Sequence, residues 1–263
     1  MSRFRDLSIL YYLPGRRIAN LGAVLVDSTG GISELCEVMR GIGVEVIAVD
    51  MSRNPENFNE AYLSLIVDIS KLSDEQIEDI VMKLRQSENF KEITLHKSDI
   101  LGLISDMFFD YRGVLGRRAL IISYAALTGF FQGLYDLLGD SAGAFLYHAG
   151  KLVGIEGAKS HREYLNVSDV DLWLRIAGRF LRSLGYAREL NISRIDGGIE
   201  AVLIDSLECQ IQAKLRRIPS SNWTRGLIAG IATDLMERDC SAEEVECINL
   251  GYPHCRIVAK KTS

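Results

Sequence analysis

The sequence predicts an α+β protein built from two domains, and three observations lead to that fold class. The length of 263 residues is a prior for two domains rather than one. Residues 22–97 alternate between strand-like and helix-like patterns in the order β-α-β-β-α-β. Residues 117–263 follow a different pattern, in which long glycine-rich helices precede alternating strands. We therefore expect an N-terminal segment over 1–21, a first domain over 22–97, a connector over 98–116 and a second domain over 117–263.

Composition and charge restrict the classes of function. Hydrophobic residues make up 48% of the chain and charged residues 25%, the balance of a globular protein. The formal net charge is −5 and the basic clusters are short, so no direct nucleic-acid motif is evident. No apolar run approaches the ~18–20 residues of a membrane span, and the N-terminus lacks the apolar core of a signal peptide. We expect a cytoplasmic protein that does not bind a membrane.

The first domain contains four predicted strands and two predicted helices. The strands are 22–27, 44–50, 61–68 and 90–96. The first helix has apolar residues at helical spacing from Ile32 to Ile42. The second opens with a capping box, in which Ser73 accepts from the amide of Gln76 and the Gln76 side chain returns to Ser73. This order is the split βαβ, ferredoxin-like plan, with two helices on one face of an antiparallel sheet.

The loop between the first strand and the first helix reads Asp27-Ser-Thr-Gly-Gly-Ile-Ser33. With this loop and the βαββαβ order, residues 22–97 resemble an ACT domain. The resemblance implies a regulatory domain whose sheets pair between copies and which binds an amino-acid effector or another metabolite near the loop. The backbone amides of Gly30, Gly31 and Ile32 at the helix N-terminus are the candidate contacts for a carboxylate. The alternative is that the two glycines only form the turn.

The connector over 98–116 is predicted to be helical because it is very apolar. Its large apolar residues are Ile100, Leu101, Leu103, Ile104, Met107 and Phe108. Such a segment has to pack against the domains of its own chain or against a second copy.

The second domain contains four predicted helices, two predicted strands and a closing hairpin. The helices are 118–138, 141–157, 168–185 and 222–237, and the strands are 189–196 and 199–205. Glycines recur at about helical spacing on the second of these helices, at Gly143, Gly150, Gly154 and Gly157. Each glycine inside a helix costs about 1 kcal/mol relative to alanine. We therefore expect another backbone or a ligand to approach this helix closely.

The closing hairpin carries two of the five cysteines, Cys247 and Cys255, placed symmetrically about Gly251. With the turn centred on Gly251, the two side chains face each other across the ladder, and directly opposed Cβ atoms lie about 4.5–5.5 Å apart. Three states are open for this pair: a shared metal ion, a buried pair of reduced thiols, and a disulfide. An odd number of cysteines does not fit a secreted disulfide framework.

The end of the chain carries a second resemblance. A helix with Gly226 and Gly230 precedes the pattern Glu244-x-x-Cys247-x-x-x-Gly251-x-x-x-Cys255. In this respect residues 117–260 resemble the 4-vinyl reductase domain family, which includes the sensor domains of phenol- and xylene-responsive transcription activators. The resemblance implies an α/β ligand-binding domain that dimerises, binds an apolar or aromatic small molecule and holds a zinc ion through one glutamate and three cysteines.

The resemblance assigns the metal ligands residue by residue. Cys247 and Cys255 match the last two cysteines of the family pattern, and Glu208 matches the glutamate. Asn222 stands where the remaining cysteine is expected, so one ligand is missing. Cys209, Cys240 or a water molecule could take its place, and Cys240 is the better candidate of the two cysteines. We expect Cys209 to point to the opposite face of a strand from Glu208, and Glu244 to point away from Cys247. Zinc in this site is expected to be structural.

Aromatic residues of the second domain are the candidates for ligand contact. Those selected are Trp223, Tyr147, Trp173 and Phe130. Most aromatic residues at helical spacing belong to a core, and Trp223 is selected because it follows the position of the missing metal ligand.

No catalytic residues are predicted. The sequence contains no Gly-x-Ser-x-Gly, His-Glu-x-x-His or phosphate-loop motif. Our first hypothesis is a ligand-sensing regulatory protein that forms a homodimer and transmits ligand binding to a regulatory protein partner. The alternatives are an enzyme or accessory subunit acting on a vinyl-bearing or tetrapyrrole substrate, and a non-enzymatic scaffold.

Overall fold

Both halves of the chain combine helices with an antiparallel four-stranded sheet. The structure is a computed structural model that describes residues 9–54, 56–114, 117–215 and 221–262. Contacts divide the chain into two units, residues 1–120 and 121–263. Within the described part of the chain, no helix is both long and apolar enough to span a membrane.

The first unit contains two helices and eight strands among the described residues. The helices are α1 (Ser28–Ile42) and α2 (Asp74–Arg85). The strands are β1 (Leu10–Tyr12), β2 (Ile18–Leu25), β3 (Glu45–Arg53), β4 (Ala61–Asp68), β5 (Phe90–Lys97), β6 (Leu103–Ser105), β7 (Gly113–Val114) and β8 (Arg117–Arg118). The main sheet has the order β3-β4-β2-β5, and every neighbouring pair is antiparallel. Leu21 and Leu65 of the sheet pack with Leu35 of α1 and Leu84 of α2 in one core.

Local signals in the sequence explain where the helices of this unit begin. The predicted capping box of α2 is confirmed, because Ser73 Oγ accepts from the amide of Gln76 at 3.2 Å and Gln76 Oε1 accepts from the amide of Ser73 at 2.9 Å. Asp27 caps α1, since its carboxylate accepts from the amide of Thr29 at 3.0 Å. The strands and helices between residues 22 and 97 follow one another in the predicted order, although β2 begins earlier, at Ile18.

The prediction of a helix over 98–116 is wrong, because the described residues of this segment form β6, β7 and turns. Gly102 adopts a φ of +81°, which favours glycine and reverses the chain. The segment then pairs as β6 with β1, a strand that the sequence analysis did not predict. Its apolar residues cover the second face of the main sheet, where Ile104 packs against Ile18 and Ile66.

A buried polar network holds this segment on the sheet. Asn20 donates to Ser64 Oγ at 2.8 Å and accepts from the amide of Met107 at 2.8 Å. The buried Asp106 accepts from Ser64 Oγ at 3.1 Å and forms an ion pair with Arg112 at 2.7 Å. Because buried polar groups need partners, these contacts specify one position for the segment.

The second unit contains five helices and four strands among the described residues. The helices are α3 (Tyr124–Leu138), α4 (Ser141–Leu165), α5 (Val170–Ser183), α6 (Leu207–Lys214) and α7 (Asn222–Met236), followed by a 3₁₀ turn (Ile248–Leu250). The strands are β9 (Ala187–Ile195), β10 (Gly198–Ser206), β11 (Cys240–Glu246) and β12 (Cys255–Lys261), with the sheet order β11-β12-β10-β9. Helix α6 was not predicted. Helix α3 begins later than predicted, at the cap Ser123, and α4 continues to Leu165.

Helices α4 and α7 pack backbone to backbone through four glycines. A Cβ atom on Gly154 would lie 2.3 Å from the carbonyl oxygen of Leu227, and one on Gly230 would lie 2.1 Å from that of Lys151. Gly150 and Gly226 are equally close to the facing helix, at 2.2 Å and 2.0 Å from carbonyl oxygens. The predicted close approach to the glycine-rich helix is therefore confirmed, and the approaching group is another helix backbone.

This packing gives the first testable prediction. Gly154→Ala forces α4 and α7 apart, so we expect a loss of about 1–3 kcal/mol in the free energy of unfolding, measured by urea denaturation. Gly157→Ala is the matched control on the same helix, because nothing lies within 4 Å of its added Cβ. We expect this control to be neutral or to stabilise by up to about 1 kcal/mol. Equal stability of the two variants would contradict the packing argument.

Candidate metal centre

Three cysteines and one glutamate converge in the second unit. Cys209 lies on α6, Glu244 on β11, Cys247 just after β11, and Cys255 at the first residue of β12. Cys209 Sγ lies 3.3 Å from Cys255 Sγ and 3.9 Å from Cys247 Sγ. Glu244 Oε1 lies 3.7 Å from Cys209 Sγ, and the four ligand atoms all lie within 4.8 Å of one another. The three thiols are buried and Glu244 is half-buried, so this cluster can hold a metal ion out of contact with bulk water.

A β-bulge brings Glu244 into this four-residue cluster. The register of β11 on β12 shifts between Glu244 and Glu246, so Val245 is an extra residue in the ladder. Strict alternation would place Glu244 and Cys247 on opposite faces, and the bulge reverses that relation. The expectation that Glu244 points away from Cys247 is therefore wrong.

The turn after Cys247 is wider than the predicted hairpin turn. Cys247 caps the 3₁₀ turn, and its carbonyl oxygen accepts from the amides of Leu250 at 2.9 Å and Tyr252 at 3.3 Å. Gly251 closes the turn with a φ of +92°. Cys255 pairs with Leu203 of β10 rather than with Cys247, so the two thiols meet around the turn and not across a ladder.

Helix α6 turns Cys209 toward the other two thiols. Strand β10 ends at Ser206, whose side chain caps α6 and accepts from the amide of Cys209 at 3.5 Å. The expectation that Cys209 lies on a strand and points away is wrong because the chain becomes helical at Leu207. The signal that could have found this helix is Asp205-Ser206, a cap sequence followed by apolar residues at Ile211 and Leu215.

The distances from Cys209 to the other three ligand atoms are of the size that a tetrahedral metal ion requires. Zinc–sulfur bonds of about 2.3 Å require sulfur–sulfur edges of about 3.8 Å, and a zinc–oxygen bond of about 2.0–2.2 Å requires a sulfur–oxygen edge of about 3.5 Å. The separations of Cys209 from Cys255, Cys247 and Glu244, which are 3.3, 3.9 and 3.7 Å, lie close to these values. Sulfur contacts of this length exceed the ~2.05 Å of a disulfide bond.

A hydrogen bond between Cys209 and Cys255 shifts the pKa values of the two thiols in opposite directions. The hydrogen bond from Cys255 lowers the pKa of Cys209 to about 6, against the effect of burial, and Ser221 lowers it further. The same hydrogen bond raises the pKa of Cys255. The thiolate is the form that binds metal, so a lowered pKa at Cys209 favours a metal site.

Glu208 and Cys240, two of the predicted ligands, lie outside this cluster. Glu208 is buried and accepts from the amides of Trp223 at 2.8 Å and Thr224 at 2.7 Å, so it caps α7. One residue corresponds to about 100° around a helix, which turns Glu208 toward α7 and its neighbour Cys209 toward the thiols. Burial raises the pKa of Glu208 to about 8, although the two amides lower it. Cys240 donates to the carbonyl oxygen of Arg238 at 3.4 Å.

Tyr147 and Trp173, two predicted ligand contacts, belong to the larger core of the second unit. Tyr147 Oη accepts from the amide of Ala242 at 3.0 Å, and its ring lies under the guanidinium of Arg225. Trp173 is 2% exposed, and its indole nitrogen has no hydrogen-bond partner among the described residues. Trp173 therefore offers a buried hydrogen-bond donor that the described part of the protein does not use.

Trp223 and Phe130 lie in other surroundings. Trp223 is half-buried beside the smaller core of Phe131, and its indole nitrogen donates to Tyr186 Oη at 3.4 Å. Phe130 is 49% exposed on α3. Tyr147 and Trp173 therefore belong to one apolar cluster of the second unit, and Trp223 packs against another.

The predicted effector contacts of the first unit lie in the first turn of α1, beside a carboxylate. A Cβ atom on Gly30 would lie 2.6 Å from Asp27 Oδ2, Gly31 is buried and Ile32 is exposed. A carboxylate ligand at Gly30 would therefore meet a carboxylate of the protein. A groove of about 550 Å³ lies between α1 and α2, and an interior void of about 20 Å³ lies beneath the helices. The predicted contacts line neither of them.

No protein family and no curated protein matches this sequence. Similar solved structures include the phenol-responsive sensory domain of the transcription activator PoxR with phenol, at 25% identity over 55% of this chain and 77% of that chain, with a TM-score of 0.45. A vinyl-4-reductase family protein from Methanocaldococcus jannaschii matches at 16% identity over 55% and 85%, with a TM-score of 0.40. A trafficking protein particle complex subunit 3 from Naegleria fowleri covalently bound to palmitic acid matches at 14% over 53% and 95%, with a TM-score of 0.41. With TM-scores below 0.5, these similarities assign no ligand to this chain.

Metal analysis of cysteine variants can distinguish the ligand set seen in the structure, which includes Cys209, from the set expected from the sequence, which includes Cys240. We expect protein purified without added metal to carry one zinc per chain by native mass spectrometry and metal analysis. Cys209→Ser and Cys255→Ser each replace a thiolate by a weak ligand, so both should lose the metal. Cys240→Ser is the control and should retain it. Loss of metal in Cys240→Ser with retention in Cys209→Ser would contradict the cluster.

The buried cap of α7 gives a second prediction. Glu208→Ala removes the acceptor of the buried Thr224 amide and of the partly buried Trp223 amide, so we expect a loss of about 1–3 kcal/mol in the free energy of unfolding. Glu163→Ala, at an exposed position on α4, should change it by less than about 0.5 kcal/mol. Urea denaturation of both variants measures the difference, and equal values would show that Glu208 does not stabilise α7.

Proposed function

We propose that this chain is a small-molecule-sensing regulatory protein, not an enzyme, whose second unit combines a structural zinc site with a ligand-binding core. The observation that carries the proposal is the convergence of Cys209, Glu244, Cys247 and Cys255 within 4.8 Å. Three thiolates and one carboxylate favour zinc among the common metals.

The zinc site is proposed to be structural because the protein supplies all four ligands. A catalytic zinc keeps one position open for water or substrate, whereas four protein ligands close the shell. When bound, the ion supplies a cross-link between α6 and the β11–β12 turn, which are distant in sequence. Cys209 and Cys255, for example, are separated by 46 positions along the chain. The cross-link would stabilise the end of the sheet on which α7 packs.

The ligand is proposed to be an apolar or aromatic molecule with one oxygen that accepts a hydrogen bond. Support comes from Trp173, because a buried N–H without a partner costs about 1–3 kcal/mol and an oxygen of the ligand would satisfy it. Tyr147 and Phe180 pack against the same core and supply aromatic surface. Trp223, in the first turn of α7, is proposed to contact the ligand, so that its fluorescence would change on binding. Phe130 on α3 is proposed as a further contact.

The first unit is proposed to be an ACT-like regulatory domain of ferredoxin-like plan. Its sheet order, β3-β4-β2-β5, with two helices packed on one face, supports that proposal. An amino-acid effector at Gly30, Gly31 and Ile32 would have to place its ammonium group, not only its carboxylate, near Asp27. We also propose that the protein is cytoplasmic, forms a homodimer and signals to a regulatory protein partner.

The proposed ligand class predicts that the protein prefers an aromatic compound with an oxygen over one without, and that Trp173→Phe weakens this preference. Isothermal titration with 4-methylphenol and with toluene, its analogue without oxygen, should show tighter binding of 4-methylphenol. Trp173→Phe keeps an aromatic ring but removes the N–H, so we expect this preference to fall about 5–10-fold.

Tyr164→Phe is the control for the Trp173→Phe experiment, since Tyr164 is 55% exposed on α4 and is not a proposed ligand contact, and it should leave the preference unchanged. Binding of neither compound by the zinc-loaded protein would contradict the sensor proposal and favour a scaffold. Tight binding of a free tetrapyrrole with a change in its absorption spectrum would favour the enzyme or accessory-subunit alternative.

A further inference from the structure

Ser221 holds both oxygens of the glutamate in the metal cluster. Its hydroxyl donates to Glu244 Oε1 at 2.5 Å, and its backbone amide donates to Glu244 Oε2 at 3.4 Å. The same hydroxyl oxygen lies 3.1 Å from Cys209 Sγ. Ser221 is 2% exposed, so these contacts are made away from solvent. Neither the predicted ligand set nor the four-residue cluster includes this residue.

Ser221 is also the cap position of α7, directly before Asn222. Two amides in the first turn of that helix, those of Trp223 and Thr224, donate to Glu208. Glu208 in turn is the chain neighbour of Cys209. The first turn of α7 is therefore bonded to a metal ligand on β11 and to the neighbour of a metal ligand on α6.

We propose that Ser221 is a positioning residue that orients the Glu244 carboxylate toward the three thiols and couples metal binding to the first turn of α7. The proposal rests on the proposed zinc site. Glu244 is half-buried and has three rotatable side-chain bonds, so without a partner its carboxylate would turn toward water. Hydrogen bonds to a ligating carboxylate commonly change metal affinity by 10–100-fold when they are removed.

The coupling can be followed by fluorescence, because Trp223 lies in the first turn of α7. Trp223 is the second residue of α7, its amide donates to Glu208, and its indole nitrogen donates to Tyr186. A metal ion held by Glu244 would polarise the hydrogen bonds that Ser221 donates to this carboxylate, and so would change the electrostatic environment of the first turn of α7. The only other tryptophan in the sequence is Trp173, on α5.

Cobalt(II) titration tests the positioning role, because its absorption spectrum reports the number of sulfur and oxygen ligands. The wild-type protein should give a tetrahedral spectrum with thiolate-to-metal bands. Ser221→Ala should weaken cobalt affinity by 10–100-fold and shift the visible bands as the carboxylate is lost, and Ser221→Thr, which keeps the hydroxyl, should restore both. Ser241→Ala, at an exposed position of β11, is the matched control and should behave as wild type.

The same titration followed by tryptophan emission tests the coupling to α7. We expect a metal-dependent change in the wild type that is absent in Trp223→Phe and reduced in Ser221→Ala. Urea denaturation of the metal-free variants distinguishes positioning from folding, because a role in folding alone would lower stability without moving the cobalt bands. Wild-type affinity and spectrum in Ser221→Ala would overturn the positioning proposal alone. Failure of the wild-type protein to bind cobalt would overturn the metal site and the proposal together.

Discussion

The contact on which the second unit depends is the backbone contact between α4 and α7. Glycines on both helices remove the side chains that would separate them, and added Cβ atoms on Gly226 and Gly230 would lie 2.0 Å and 2.1 Å from carbonyl oxygens of α4. Because no side chains intervene at these glycines, the two helices have one close arrangement and α7 is fixed in position. The N-terminus of α7 is the point where Glu208, Ser221 and Glu244 meet, so the geometry of the metal cluster follows from this contact.

The cluster is assembled from parts of the chain that have no local relation to one another. Cys209 approaches on a short helix, and Glu244 joins Cys247 through a bulge in β11. The two carboxylates near α7 differ in what they contact, since Glu208 satisfies backbone amides whereas Glu244 faces the thiols.

Sequence patterns predicted the features that depend on near neighbours. The capping box at Ser73, the glycines of α4 and the presence of Cys247 and Cys255 around one turn all follow from local chemistry. The helix predicted over the connector was wrong because its apolar residues at 100–108 pack on a sheet. Composition alone cannot distinguish such a segment from a buried helix. The positions of Cys209 and Glu244 could not be predicted for separate reasons. Cys209 lies on a helix that the sequence analysis did not recognise, and a one-residue bulge moves Glu244 to the other face of its strand.

The segment that closes over the first unit limits how two copies of its sheet can meet. Ile104 and the ring of Phe108 cover β2 and β4 on the face opposite the helices, and a Cβ atom on Gly22 would lie 2.1 Å from that ring. Face-to-face stacking of two such sheets is therefore obstructed over the central strands. Among the described residues β3 pairs only with β4, so a second copy that added a strand alongside β3 would not meet this obstruction.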